Sequence, residues 1–268
     1  METEGCGPPL LLLPTFACSG EAWGVAFARR LTERQFVLRP DWPGTGRSPP
    51  WPDGAVTIAA LAGAAADLLD TYAAPATLLG WGLGALVALR VAADRPETVE
   101  RLVLIGAITN GAELLIAAPD VATLCEVAEG AGPEEHMLGL LGRYTCPSWR
   151  PFAEMFLLQL LPRPAATSAA LRGQWSALAG PDAGPPLGEI HRPVLLLTGE
   201  LDRVAPPARA EALAAALPDA RLCIVPGAGH AVIWEQPGVV LDAIEPFLMR
   251  HADAVQRHDP ALNERPPR

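Results

Sequence analysis

Short apolar runs alternate with helix-forming segments along most of this chain, and this alternation constrains the fold more than any other feature. The first four runs lie at 10–13, 36–38, 76–79 and 102–105, and two more lie in RPVLLLTGE and RLCIVPG. Helical patterns cover 25–31, 57–72, 84–93, 208–217 and 239–250, the second with Thr57 as its N-cap. Continuous short apolar runs are typical of parallel strands that are buried on both faces. The pattern therefore predicts an α/β fold with a doubly wound, mostly parallel sheet.

The alternation stops in the middle of the chain, where a Pro-punctuated segment with a helical pattern extends over about residues 113–185. We interpret this segment as a helical cap inserted into one α/β core made of residues 1–112 and 186–250. A polar tail, 251–268, follows the last predicted helix. A chain of 268 residues, half of them hydrophobic, is long enough for one such domain with a modest insertion.

Charge and cysteine usage exclude several classes of function. The formal net charge of −10 argues against nucleic acid or an anionic membrane surface as a partner. The five cysteines form no CxxC pair, so we expect neither a zinc site nor a disulfide framework, and a reducing cytoplasm is the default location. No segment of membrane-spanning length is free of Pro, Gly or charge. We expect no metal or cofactor and a small, fairly hydrophobic molecule as partner, with a homodimer left open.

Glycines and polar residues follow the predicted strands where a ligand site would lie. GWGLG, residues 80–84, separates the run 76–79 from a segment of helix formers. Asp202 lies in TGELDRVAPP and His230 in PGAGHAVIWEQP, each after a late strand. Because ligands of a doubly wound sheet bind beyond the carboxyl ends of its strands, we expect these loops to form one site.

The order of these motifs resembles the α/β-hydrolase superfamily, in its cap-bearing branch, from residue 10 to about residue 250. In that family a G-x-S-x-G turn carries a nucleophilic serine, and an acid and a histidine follow along the chain. The resemblance implies that Gly82 stands at the position of the serine, that Asp202 is the acid and that His230 is the histidine. DWPGTGRS, which begins at Asp41, is similar to another signature of the family, and we expect Asp41 to brace that loop.

The sequence departs from the family pattern in two further places. After the first predicted strand the family usually has His-Gly, whereas this chain has Pro14-Thr15. By position, the resemblance implies that the backbone N–H groups of Phe16 and Leu83 form the oxyanion hole. Because the first apolar run begins at residue 10, we also expect the first two antiparallel strands of the family to be missing.

Gly82 has no side chain, so no acyl-enzyme can form at that position. A His–Asp pair still supports acid–base catalysis, because the carboxylate fixes the tautomer of the imidazole and stabilises its charged form. Our main hypothesis is therefore an enzyme in which His230, oriented by Asp202, moves protons on a small carbonyl compound. The expected outcome is elimination, isomerisation, cyclisation, C–C bond chemistry or cofactor-free oxidation, which the resemblance associates with secondary metabolism.

Three alternatives stay open at this point. The first is a hydrolase of esters, thioesters or lactones that uses water activated by His230, or else Cys18 or Ser19 as nucleophile. The second is a binding protein that has lost catalysis. The third is dinucleotide binding, since residues 80–85 match G-x-G-x-x-A. The next strand disfavours it, because that strand ends in residues 105–107, Ile-Gly-Ala, without the acidic residue that would hold a ribose.

Overall fold

The computed structural model of the protein describes residues 1–51, 56–109, 145–152, 168–180 and 184–249. The strands are β1 (Glu2–Glu4), β2 (Pro9–Leu13), β3 (Phe36–Arg39), β4 (Ala76–Trp81), β5 (Val99–Ile105), β6 (Val194–Gly199) and β7 (Ala220–Val225). The helices are α1 (Val25–Thr32), α2 (Ile58–Tyr72), α3 (Leu83–Asp94), α4 (Ser168–Ala179), α5 (Pro207–Ala216), α6 (Val232–Glu235) and α7 (Pro237–Met249). Short 3₁₀ turns lie at Gly20–Trp23, Pro96–Thr98 and Leu187–Glu189.

The strands form one seven-stranded sheet in the order β1-β3-β2-β4-β5-β6-β7. Every neighbouring pair is parallel except β1 with β3. All six residues of β4 are buried, as are all six of β6, which explains why these strands read as continuous apolar runs. The predicted α/β fold with a doubly wound, mostly parallel sheet is confirmed.

The winding of the sheet reverses between β2 and β4. From β2 the chain moves outward to β3, and then returns to add β4 on the other side of β2. In doubly wound sheets the crevice at such a reversal, outside the carboxyl ends of the strands, is where ligands bind. Here that crevice lies between the loop that follows Leu13 and the turn that follows Trp81.

One of the two antiparallel strands that we expected to be missing is present. Glu2–Glu4 pairs with β3 at the sheet edge, with Glu2 opposite Arg39 and Glu4 opposite Val37. This segment has no apolar run because its side chains are half-buried or exposed at the edge of the sheet. Its charge is also matched, since the Glu2 carboxylate lies 3.0 Å from the Arg39 guanidinium. The expectation was therefore wrong for this strand.

Of the predicted cap, 113–185, the structure describes residues 145–152, 168–180 and 184–185, and helix α4 lies within them. The rest of that segment and the predicted tail, 251–268, lie outside the described residues. The boundaries proposed for core and cap stay a prediction. Among the described helices, none combines the length and apolar character needed to cross a membrane.

Candidate functional site

The turn between β4 and α3 is built from three glycines, each with its own structural reason. Gly82 has φ 54° and ψ −110°, a left-handed conformation that L-residues rarely adopt, and its N–H donates to the carbonyl oxygen of Ile105 at 2.9 Å. A Cβ on Gly80 would lie 2.3 Å from the carbonyl oxygen of Gly84. A Cβ on Gly84 would lie 2.0 Å from the carbonyl oxygen of Leu13. The turn is therefore pressed against the end of β2.

Thr15 faces Gly82 across the crevice at the winding reversal. A Cβ placed on Gly82 would lie 2.4 Å from Thr15 Oγ1 and 3.6 Å from His230 Nε2. The hydroxyl of Thr15 and the ring nitrogen of His230 thus border the same small volume, directly above the glycine. Sequence analysis noted Thr15 only as a departure from His-Gly, and gave no reason to place its side chain against Gly82.

The predicted pair of His230 and Asp202 is formed. His230 Nδ1 lies 2.9 Å from Asp202 Oδ2, and both side chains are buried. The other carboxylate oxygen, Oδ1, accepts hydrogen bonds from the N–H groups of Val204 and Ala205, each at 2.8 Å. Asp202 is therefore held by its own loop in an orientation that leaves Oδ2 for the imidazole. With Nδ1 directed at Asp202, Nε2 is the ring nitrogen that faces Gly82.

Gly106 is a residue of the site that sequence analysis did not identify. It follows β5 with φ 52°, and a Cβ there would lie 2.8 Å from His230 Cε1 and 2.9 Å from His230 Nδ1. The same Cβ would lie 3.4 Å from Asp202 Oδ2. Only a glycine leaves room for the His–Asp pair at this strand end. The glycine directly after an apolar strand was the available signal.

The two backbone groups predicted as oxyanion donors lie on the two loops that meet here. Leu83 is the first residue of α3, where N–H groups have no partner within the helix. Phe16 follows Thr15 in the loop after β2. No hydrogen bond of either N–H group to another described residue is present. The role of both groups as oxyanion donors stays a prediction.

Helix α4 fixes the loop that carries Thr15 and Phe16. Gln174 is fully buried, and its Oε1 accepts a hydrogen bond from the N–H of Ala17 at 2.8 Å. Ala17 has φ 63°, a strained value for a residue with a side chain. The Trp175 ring packs edge-on against the Phe16 ring, with centroids 6.3 Å apart. These contacts of α4 make one apolar wall beside the predicted donors.

Aromatic and acidic side chains, including Trp234 and Glu235, hold the loop of His230 in place. Trp81 Nε1 donates to the carbonyl oxygen of His230 at 3.2 Å, and the Trp81 and Trp234 rings meet edge to face at 5.0 Å. Glu235 Oε2 accepts from the N–H of Gly229 at 2.6 Å. The backbone of the loop is therefore fixed at His230 itself and at the preceding residue, Gly229.

The two substitute nucleophiles considered for a hydrolase are poorly suited to the role. Burial raises the pKa of the Cys18 thiol to about 12, so the thiol stays protonated at neutral pH. Ser19 is buried, and its Oγ accepts from the N–H of Glu21 as the cap of a 3₁₀ turn. Within the described ranges, no group of three or more His, Cys, Asp or Glu residues is arranged to hold a metal ion.

Comparison with known proteins agrees with this architecture. A sequence model of the Alpha/beta hydrolase family matches residues 10–243. The chain is 32% identical over 223 residues to a pimeloyl-[acyl-carrier protein] methyl ester esterase of Methylococcus capsulatus, covering 80% of this chain and 84% of the esterase. It is also 32% identical over 269 residues to the polyketide synthase ThaQ of Burkholderia thailandensis, covering 94% of this chain but only 12% of that synthase.

Solved structures show the same architecture. A thermophilic esterase from Thermogutta terrifontis superposes with a TM-score of 0.80 at 26% identity, over 93% of this chain and 92% of the esterase. The enol-lactonase from Burkholderia xenovorans LB400 superposes with a TM-score of 0.82 at 22% identity, over 93% and 95%, and shows the fold alone. The family model covers most of the chain, and the chain belongs to the Alpha/beta hydrolase family.

Proposed function

We propose that this protein is a hydrolase of esters or thioesters in which His230, held by Asp202, is the general base. The observation that carries the proposal is the direction of the imidazole. Its Nδ1 lies against Asp202 Oδ2, and its Nε2 lies 3.6 Å from the Cβ position above Gly82. A base in this place borders the crevice where the sheet reverses.

The catalytic steps follow from this geometry. His230 Nε2 removes the proton of a hydroxyl group that attacks the acyl carbon, while the negative charge that develops on the carbonyl oxygen is stabilised by the N–H groups of Phe16 and Leu83. The imidazolium is stabilised by Asp202 and then returns the proton to the leaving alcohol or thiol. Gly82 cannot supply the attacking hydroxyl, so it comes from water or from another side chain.

The names of the relatives support an acyl group carried on a protein as the substrate class. One relative is an esterase of a pimeloyl group on an acyl-carrier protein, and another is a polyketide synthase, of which this chain matches one segment. The aromatic pair of Phe16 and Trp175 beside the predicted oxyanion hole fits a fairly hydrophobic acyl chain. We therefore propose an acyl ester or thioester, presented by a carrier protein, as substrate.

The absence of a side chain on Gly82 favours a second candidate. Without a serine, the same His–Asp pair could move protons on a carbonyl compound without hydrolysis, as an elimination, isomerisation, cyclisation or C–C bond reaction. The relatives named as esterases support this candidate less well than hydrolysis. The two candidates differ in their products, because only hydrolysis releases an acid and an alcohol or thiol.

The test compares the wild type with His230→Ala on p-nitrophenyl butyrate and on a butyryl thioester of N-acetylcysteamine. His191→Ala is the matched control, because His191 is an exposed histidine outside the crevice. We expect turnover by the wild type and the control, and loss of at least about a hundredfold in His230→Ala. Undiminished hydrolysis by His230→Ala would reject this role for His230. No hydrolysis of any ester or thioester would leave the non-hydrolytic candidate or a binding protein.

A further inference from the structure

We infer that Thr15 supplies the hydroxyl nucleophile that Gly82 lacks. The inference rests on the proposed hydrolytic function and names the group that attacks the substrate. It comes from one relationship: Thr15 Oγ1 occupies the volume that a side chain on residue 82 would fill. A hydroxyl has thus been brought to the same place from the neighbouring strand end.

The position of Thr15 Oγ1 relative to the base supports this role. A Cβ on Gly82 would lie 2.4 Å from Thr15 Oγ1 and 3.6 Å from His230 Nε2, so the hydroxyl oxygen and the base nitrogen both lie beside this one position. Among the described residues, His230 included, none is hydrogen-bonded to the Thr15 hydroxyl, so the hydroxyl is free to turn toward the base when a substrate binds. Thr15 is also only partly buried, so a substrate can reach its hydroxyl from the crevice.

The backbone around Thr15 is held on both sides. The Trp42 indole donates to the carbonyl oxygen of Pro14 at 2.9 Å, and the N–H of Cys18 donates to the carbonyl oxygen of Thr15 at 3.3 Å. Gln174 fixes Ala17 two residues further on. A threonine side chain has few χ1 rotamers, so a fixed backbone also restricts its hydroxyl. A nucleophile needs such fixed geometry, because misplacement by about 1 Å is costly in rate.

The reaction is balanced with the groups present. Thr15 Oγ1 attacks the acyl carbon and its proton passes to His230 Nε2. The tetrahedral intermediate collapses, the alcohol or thiol leaves with the proton from His230, and the acyl group stays as an ester on Thr15. Water then loses a proton to His230 and attacks that ester. The acid is released, and Thr15 recovers its proton from His230.

The first test is covalent labelling, which does not depend on turnover. An alkyl fluorophosphonate phosphonylates an activated hydroxyl with loss of fluoride, and peptide mass spectrometry locates the adduct. We expect one adduct on residue 15 in the wild type and in Thr15→Ser, and none in Thr15→Val or His230→Ala. Thr71→Val, which removes an exposed hydroxyl on α2, is the matched control and keeps the adduct. A wild type without an adduct on Thr15 overturns the inference.

The second test separates failure of this inference from failure of the proposed function. We expect Thr15→Val to hydrolyse p-nitrophenyl butyrate at least about a hundredfold more slowly than the wild type, and Thr15→Ser to stay within about tenfold. Full turnover in Thr15→Val with loss in His230→Ala would identify water as the nucleophile: the inference fails and the hydrolase stands. An adduct on Thr15 without hydrolysis of any acyl substrate would keep the nucleophile and reject the hydrolase.

Discussion

Thr15 Oγ1 lies 2.4 Å from the position that a Cβ atom on Gly82 would occupy. A real Cβ cannot approach an oxygen so closely, so a side chain on residue 82 requires the hydroxyl of Thr15 to move. The two positions are far apart in sequence but act as one site. This coupling determines how the turn responds to substitution.

Restoring a serine in the turn requires a change at both positions. We expect Gly82→Ser alone to lower the free energy of unfolding by about 1–3 kcal/mol, because its Cβ overpacks against Thr15. It forms no acyl-enzyme on residue 82, because the Thr15 hydroxyl displaces the new side chain. Thr15→Gly/Gly82→Ser removes the obstruction and gains a burst with p-nitrophenyl butyrate, read in stopped flow.

The control for this pair is Thr15→Gly alone, which has neither hydroxyl and is expected to show no burst. Thermal unfolding of all three variants separates poor folding from poor chemistry. If Gly82→Ser alone were as stable as the double variant and were acylated on residue 82, the steric coupling between the two residues would be refuted.

Substitutions of Asp202 separate its role in folding from its role toward His230. Asp202→Asn keeps an oxygen for the N–H groups of Val204 and Ala205 but turns an amide N–H toward His230 Nδ1, which favours the wrong tautomer. We expect kcat to fall by about 10³–10⁴ with little change in Tm. Asp202→Ala also leaves the N–H groups of Val204 and Ala205 without their acceptor and should lower the free energy of unfolding by about 1–3 kcal/mol. Equal Tm values for the two variants would contradict this division.

Gly106→Ala is expected to inactivate the protein without touching the substrate. Its Cβ would lie 2.8 Å from His230 Cε1, so the ring must leave its position against Asp202. The left-handed φ of 52° adds about 1–2 kcal/mol of strain. Gly63→Ala is the matched control, since Gly63 lies in helix α2 with nothing within 4 Å of its Cβ position, and should gain up to about 1 kcal/mol. Esterase assays with urea unfolding test both, and an active Gly106→Ala would show that the ring tolerates displacement.

Gln174 is expected to stabilise the loop that carries Thr15. Gln174→Leu leaves the buried N–H of Ala17 without its acceptor, which costs about 1–3 kcal/mol in the free energy of unfolding. Ser176→Ala, an exposed change on the same helix, should stay within about 0.5 kcal/mol of the wild type. Urea unfolding measures both variants. A neutral Gln174→Leu would mean that α4 does not hold this loop.

Burial of Cys18 gives a defined pH dependence. The pKa of its thiol is raised from 9.0 to about 12 by desolvation, so the folded thiol keeps its proton where the unfolded thiol has lost it. The free energy of unfolding should therefore fall as pH rises from about 9 toward 12. The fall should be shallower in Cys18→Ala, as measured by urea unfolding across this range. Parallel pH profiles would contradict the assigned burial effect.

Most strands could be predicted from the sequence, because a strand that is buried on both faces carries apolar side chains on both faces. The strand Glu2–Glu4 was not predicted, because it is an exposed edge strand without apolar residues. It is stabilised by backbone pairing with β3 and by the ion pair with Arg39. Asp41 was correctly expected to brace its loop: it accepts from the N–H groups of Gly20 and Arg47. The contact with Arg47 lies within the same loop and could be predicted from the local sequence, whereas the contact with Gly20 joins a second loop and could not.

The His–Asp pair and the glycine turn could be predicted from the sequence, because each follows a strand and the topology of the sheet brings these loops together. Thr15, Gly106 and Gln174 could not be predicted in this way, since their importance lies in distances across the sheet. That Thr15 fills the space over Gly82, or that Gln174 reaches Ala17, depends on registers and helix positions that no local pattern encodes.

The close contact between the glycine turn and the end of β2 also limits how this chain can evolve. Positions 80 and 84 face backbone oxygen atoms, which no substitution elsewhere can remove, so both stay closed to larger residues. Position 82 faces the side chain of Thr15, which a single mutation can change. The order of mutations then matters: a lineage that changes residue 15 first opens residue 82 to selection, whereas the reverse order passes through a misfit intermediate. Mutation from the present pair of residues is therefore favoured in one order over the other. Making the two substitutions in both orders and measuring the stability of each intermediate tests this.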